Sequence, residues 1–196
     1  LSIIDEDEAD ITNLNRQFIH NLKSLSQPKS VSAEHFVKGL NPDIRLSCHV
    51  ARFTEENAKG LIEPCDLVID CTDNPPTRYL ANQICQQLHT PLIFGGAVRT
   101  DGQITSFIPG DPNSPCLRCI FPQTELDYDQ APSCANAGIL GSTTMVIGGL
   151  QTAEAIKIIA GFGTPLVGRL LLYDGLANAF TEIEIAPDPA CPVCSQ

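Results

Sequence analysis

Four cysteines stand in two pairs of the same spacing, Cys116-x2-Cys119 in SPCLRCIFP and Cys191-x2-Cys194 in the closing CPVCSQ. A CxxC segment folds into a knuckle that offers two thiolates to one ion, and two knuckles complete a tetrahedral four-thiolate zinc site. Pro115 before one pair and Pro192 within the other fit such turns. The pairs lie too far apart for a compact zinc ribbon, so a helix and a hairpin must fit between them. The centre would then clamp the last residues onto the middle of the chain. A redox CxxC or ordinary buried thiols are the competing readings. Nothing nearby supplies an open coordination position, so the metal reads as structural.

A second constellation is acidic. LSIID ends in Asp5-Glu6-Asp7, and DLVIDC runs into DCTDN, Asp70 to Asn74. In open α/β sheets ligands bind beyond the carboxyl ends of the strands, and an acid there commonly accepts from a ribose hydroxyl. The glycine-rich phosphate turn that should precede such an acid would lie before Leu1. GFGTPLVG, with Gly161, Gly163 and Gly168, is a decoy, because it follows a helix and has the wrong spacing. After the first acids comes ITNLNRQFIH, with Asn13, Arg16 and Gln17, and then Lys29. Arg and Lys beside a nucleotide are natural phosphate ligands, one as a fork and one as a point charge. Singly, each is more often a solvated surface charge. Cys134, in PSCANAG before the longest helical pattern, is either a small buried hydrophobe or a thiol whose pKa a helix N-terminus lowers.

Composition bounds the setting. With 196 residues and 43% hydrophobic content, the chain supports one globular domain with a sizeable core. A net charge of −11 argues against nucleic acid or an anionic membrane surface as partner. No apolar run approaches the roughly 20 residues of a membrane span, and the first residues lack the pattern of a signal peptide. Nine cysteines, an odd number, with two CxxC pairs, point to a reducing, cytoplasmic compartment and metal-held thiolates.

The elements that must carry these residues alternate. LSIID reads as a buried parallel strand, PKSVSAEHFVKGL as a helix stopped by Asn41-Pro42, and IRLSCHV as a strand. TEENAKGLI follows with Thr54 as N-cap, and DLVIDC is a second buried strand. PPTRYLANQICQQLH is helical with Tyr79, Leu80, Ile84 and Leu88 near one face. PLIFGGAV and QITSFI are strands joined by a turn at Thr100-Asp101-Gly102. FPQTELDYDQAPS is an exposed loop. STTMVIGGLQTAEAIKIIAG is a long helix in which Gly148 and Gly149 allow close packing. RLLLYDG and AFTEIEI form a hairpin around Leu176-Ala177-Asn178. Cys48, Cys65, Cys71 and Cys85 fall in or beside these elements and read as core. The sum is a Rossmann-like α/β fold: a mainly parallel sheet extended by antiparallel strands in its C-terminal half.

DEDEADITNLNRQF, the QPK at Gln27, DCTDN at Asp70, both CxxC pairs and GGLQTAEAIK, in this order from end to end, resemble the MoeB/ThiF/HesA adenylyltransferases, bacterial relatives of ubiquitin-activating enzymes. Within that family the ending LLLYDGLANAF…CPVCSQ is most similar to molybdopterin-synthase adenylyltransferases. The resemblance implies that residues 1–196 are a single ThiF-type adenylation domain, N-terminally incomplete because the first strand and glycine loop would precede Leu1. It implies ATP and Mg2+ as cofactors beside Zn2+. The implied partner is a small ubiquitin-like sulfur-carrier protein ending in Gly-Gly, whose terminal carboxylate is adenylated. A homodimer is implied too. Asp5 and Asp7 would lie at the ribose, and Asn13, Arg16, Gln17 and Lys29 at the phosphates. Asp73 would be the essential acid beside the magnesium and the α-phosphate. Cys134 would bond covalently to sulfur or to the carrier, or would be dispensable. Rival readings are a thiamin-pathway (ThiS-type) carrier, an inactive carrier-binding module, and a nicotinamide-dependent oxidoreductase. The last has no use for Arg16, Lys29, Asp73 or the second CxxC.

Overall fold

The computed structural model describes residues 1–122 and 137–195. The chain divides into two compact units, Leu1–Thr54 and Glu55–Gln196.

In the first unit, strand β1 (Ser2–Ile4) pairs in parallel with β2 (Ser47–His49), Ser2 opposite Ser47 and Ile4 opposite His49. Parallel neighbours need a long crossover, usually helical. Here it consists of 3-10 turns at Ile11–Asn13 and Leu22–Ser24 followed by helix α1 (Lys29–Leu40). Pro28, with φ −53°, presets the entry to α1, and Asn41 ends it in an extended conformation. The buried face of α1 is small and polar, Ser30, Ser32 and Ala33. Phe18 meets Phe36 of α1 edge-on with ring centroids 6.5 Å apart.

The second unit holds helices α2 (Glu55–Ile62) and α3 (Pro75–Leu88) and a five-stranded sheet. Its strands are β3 (Val68–Asp70), β4 (Leu92–Val98), β5 (Asp101–Phe107), β6 (Arg169–Asp174) and β7 (Ala179–Glu184), in that order. β3 and β4 are parallel, and the remaining neighbours are antiparallel. Between β5 and β6 come the short helix α4 (Leu117–Ile120) and the long helix α5 (Gly141–Ala160). α5 packs on β4 and β5 over Ile93, Ile104, Ala155 and Leu166, with Leu67, Leu150, Ile158 and Leu171 around them.

Several sequence expectations shift. Among the described strands, antiparallel pairs outnumber parallel ones, three to two, because short connections join β4 to β5 and β6 to β7. The strands β1 and β3 are only half-buried, Ile69 being 41% exposed, since each is three residues long at a sheet edge. The β4–β5 turn is Arg99-Thr100, not Thr100 to Gly102, because Asp101 already pairs with Val98 and Arg99 takes the left-handed conformation, φ 54°. Gly148 and Gly149 meet open space. The glycines that admit α5 are on the sheet: a Cβ on Gly102 would lie 2.5 Å from Ile147, and one on Gly95 would overlap Gln151. The buried face of α3 is centred on Ala81, Asn82, Ile84 and Cys85. Of the four cysteines expected in the core, Cys85 is buried, Cys48 and Cys65 are half-buried, and Cys71 is exposed. The decoy glycines serve turns: Gly161 caps α5 at φ 67°, and Gly163 and Gly168 also have positive φ. The hairpin at Leu176 forms as expected, with Asp174 Oδ1 accepting from the amides of Leu176 and Ala177.

Candidate active site and four-cysteine centre

Asp73 lies just beyond the carboxyl end of β3 and is exposed. Its neighbours are not free to move. Asp70, buried at 3% exposure, accepts at Oδ1 from both the amide (2.9 Å) and hydroxyl (2.7 Å) of Thr72. Burial pushes the Asp70 carboxyl above the usual carboxylate range, opposed by the Arg78 guanidinium and the Thr72 hydrogen bonds. On the other side Asn74 caps α3, its Oδ1 accepting from Thr77 N at 3.0 Å. Gln151 of α5 donates from Nε2 to the main-chain oxygen of Asp70 at 2.8 Å. The result is an exposed carboxylate on a short, braced turn.

The first unit gathers the other acids and bases. Lys29 Nζ lies 2.6 Å from Asp7 Oδ2, and Lys29 N donates to Asp7 O at 2.8 Å. Asp5 Oδ1 accepts from Asp7 N, so the acids expected at a ribose and the lysine expected at a phosphate share one cluster. Arg16 Nη1 is held by Thr12 O and Asn15 Oδ1, each at 3.0 Å. Asn13 is buried and reciprocates a cap with Asp10, its Oδ1 accepting from Asp10 N, so its carbonyl already serves the local fold. Gln17 Oε1 and Ser30 Oγ are buried with no hydrogen-bond partner among the described residues. Buried polar atoms are almost always satisfied. Two orphans, one of them next to Lys29 in the chain, therefore fit a segment completed by a polar ligand. Asp73 belongs to the second unit.

The two CxxC pairs do come together. The four sulfurs lie within 4.8 Å of one another, with Cys116 Sγ 3.6 Å from Cys191 Sγ and Cys119 Sγ 3.3 Å from Cys194 Sγ. Four thiolates about 2.3 Å from a central zinc would stand about 3.8 Å apart, so the cluster has the right size. Cys119 Sγ also accepts from the amides of Cys116 (3.5 Å) and Asp188 (3.4 Å). Burial pushes the Cys116 thiol up to about 11, and a bound cation would favour its ionised form. The first knuckle is tied to α3: Asn82 Oδ1 accepts from Leu117 N at 2.9 Å, and Tyr79 OH donates to Phe121 O at 2.9 Å.

Cys134 and most of the loop before it lie outside the described residues. Sequence reading missed Arg78, Gln151 and Thr72. Arg78 and Gln151 are polar residues on helices, and an apolar periodicity count passes over both. Asn74, as a cap one residue after Asp73, was the one local hint that the turn is held.

Parallel and antiparallel strands with covering helices, acids beyond strand ends and a four-cysteine cluster define the class as an α/β fold. The model of the ThiF family matches residues 1–193, and the chain belongs to that family. It is 39% identical over 198 residues to a sulfur carrier protein adenylyltransferase of Thermus thermophilus, which covers 99% of this chain and 72% of the relative. It is 41% identical to the adenylyltransferase and sulfurtransferase MOCS3 of Anopheles gambiae, over 100% of this chain but 44% of that protein. A SAMP-activating enzyme E1 of Haloferax volcanii is 37% identical, over 100% and 71%. Among solved structures, E. coli MccB with ATP superposes with a TM-score of 0.83 at 19% identity, covering all of this chain and 59% of the other. That likeness is one of fold. No helix among the described residues is long and apolar enough to cross a membrane.

Proposed function

We propose that this chain is a single adenylation domain, residues 1–196, acting on the C-terminal glycine carboxylate of a small ubiquitin-like sulfur-carrier protein. The carboxylate oxygen forms a bond to the α-phosphorus of ATP, the bond to the bridging oxygen breaks, and pyrophosphate leaves. The nucleophile is already ionised, so little acid–base work is required. The difficulty is the approach of one anion to another, and positive charge at the phosphates lowers that barrier.

The chain's own residues divide this work. Asp5 and Asp7 are assigned to the ribose, and Asn13, Arg16, Gln17 and Lys29 to the phosphates. In this reading Lys29 exchanges its pairing with Asp7 for phosphate, and Gln17 donates to phosphate from its carboxamide nitrogen. Asp73 holds an exposed carboxylate at the α-phosphate end, where Mg2+, when bound with ATP, supplies Lewis-acid charge neutralisation. Arg16 serves transition-state charge. Cys134 takes the covalent role in sulfur or carrier transfer. Zn2+ on Cys116, Cys119, Cys191 and Cys194 is structural. The carrier ends in Gly-Gly, the enzyme is a cytoplasmic homodimer, and molybdopterin synthase is favoured over the thiamin pathway by the ending LLLYDGLANAF…CPVCSQ.

The observation that carries this reading is the end-to-end similarity to the Thermus sulfur carrier protein adenylyltransferase, at 39% identity over 99% of the chain. Intact-mass spectrometry of candidate carriers incubated with enzyme and ATP tests it. A carrier gaining one adenylate group supports the reading. Carrier binding with no adenylate formed would instead return the inactive binding module.

A further inference from the structure

Arg78, five residues after Asp73, has no assigned part in this chemistry, yet its side chain is heavily engaged. Its side chain is 17% exposed, and Nε lies 3.8 Å from Asp70 Oδ2. Nη2 donates to the main-chain oxygen of Thr72. The guanidinium lies over the Phe94 ring, 4.9 Å from the centroid. Charge, fork and flat face are thus each in use, and little of the group remains for a ligand.

We propose that Arg78 is a positioning residue for Asp73, holding the Thr72 peptide so that the exposed carboxylate keeps one geometry; this rests on the adenylation reading above. The turn from Asp70 to Asn74 is held on both sides of Asp73, and the Cys71 thiol contacts Gln151 Oε1 at 3.8 Å. Gln151 holds Asp70 O, Asp70 Oδ1 holds Thr72 N, Arg78 holds Thr72 O, and Asn74 is committed to capping α3. The Thr72–Asp73 peptide follows directly from the carbonyl that Arg78 binds. Without Arg78 that carbonyl loses its side-chain donor, and the link between β3 and α3 gains freedom at the residue that must meet the phosphate. A lysine could supply the charge opposite Asp70, but it lacks the planar fork that reaches a carbonyl and a carboxylate while stacking on a ring. Asp70 Oδ2 has no hydrogen bond among the described residues, so Arg78 also supplies the charge that makes a buried Asp70 tolerable.

The test compares wild type, Asp70→Asn/Arg78→Met and Arg78→Lys in the full-length protein, by carrier-dependent ATP–pyrophosphate exchange and by hydrogen exchange of the peptide spanning 71–77. The double variant removes both buried charges together, so it leaves no unpaired ion. It should show a kcat about 100-fold lower, the cost of a displacement near 1 Å in a reacting geometry, with KM for ATP within a few-fold. Amide protection at 71–77 should fall while the cysteine knuckles stay protected. Arg78→Lys, which keeps the charge and so the fold if the double variant loses it, should show the same pattern in milder form. Wild-type kcat in a folded variant would overturn the proposal, as would unchanged protection at 71–77. Absence of exchange in the wild type, with every carrier tried, would count against the adenylation reading instead, and the protection result would still decide whether Arg78 holds the turn.

Discussion

Gly95 and Gln151 occupy one another's space: a Cβ on Gly95 of β4 would overlap the carboxamide of Gln151 on α5. The missing methyl leaves room for the Gln151 carboxamide, which reaches the main-chain oxygen of Asp70, next to the turn that carries Asp73. One glycine on a strand thus links the packing of a long helix to the placement of a candidate site residue.

Gly95→Ala should therefore destabilise the protein by about 1–3 kcal/mol, the usual cost of overpacking a tight site. Gln151→Ala should also destabilise, by losing a buried hydrogen bond of roughly 1 kcal/mol. Because the two residues share the space, the double variant should cost less than the sum. Urea denaturation of the four proteins in the cycle measures this, and strict additivity would contradict the packing relation.

Removing metal should loosen the second unit first. Metal analysis of purified protein should find one zinc per chain, and chelation or Cys191→Ser should lower the thermal midpoint, since structural zinc contributes folding free energy directly. The knuckle bonds to Asn82 and Tyr79 imply that proteolysis should then reach α3 as well as the last residues. Full retention of the midpoint after complete removal of metal would contradict a structural centre.

His20 should make the first unit acid-sensitive. It is 6% exposed, with Nδ1 2.8 Å from Ser32 Oγ, and burial, followed by the charge of Lys29, holds its pKa below the ordinary 6.5. The unfolded chain therefore binds a proton at a higher pH than the folded one. Stability from this group is complete above about pH 6.5 and falls as the pH drops below it. His20→Gln should flatten this limb of a thermal-midpoint profile between about pH 7 and 5. An unchanged slope would mean that other groups set it.

Asp73→Asn should keep the fold and lose the reaction. The side chain is exposed and makes no packing contribution that a carboxamide would upset. Loss of a carboxylate at a metal-bound phosphate should cost roughly several kcal/mol of transition-state stabilisation. Wild-type circular dichroism and midpoint with pyrophosphate exchange near background is the expected result, and normal exchange would remove Asp73 from the site.

Some of this was legible in the residues and some was not, for physical reasons. The CxxC pairs could be recognised because two thiols at knuckle spacing carry their chemistry locally, whatever lies between them. Helix ends were readable where a proline marked them, as at Pro28 and Asn41-Pro42 around α1. Burial was harder: LSIID and DLVIDC look like core strands, yet each forms only three residues of edge strand, and burial depends on neighbours a strand does not encode. Gly102 looked like a turn and is a strand residue because Arg99 accepts the left-handed conformation in its place. Gly148 and Gly149 looked like contact points and are not, since the close approach is made by glycines on the opposing sheet. Arg78 and Gln151 escaped notice because their work is polar and tertiary. An apolar count along a helix does not register it.

The central claim is that the chain activates a carrier's terminal carboxylate with ATP. ATP–pyrophosphate exchange by the purified protein, measured with a carrier ending in Gly-Gly and with the same carrier lacking its last glycine, tests this most directly. The expected result is exchange that requires the intact carrier and disappears when that glycine is removed. Exchange of equal rate with both carriers, or none with any carrier while ATP still binds, would contradict it.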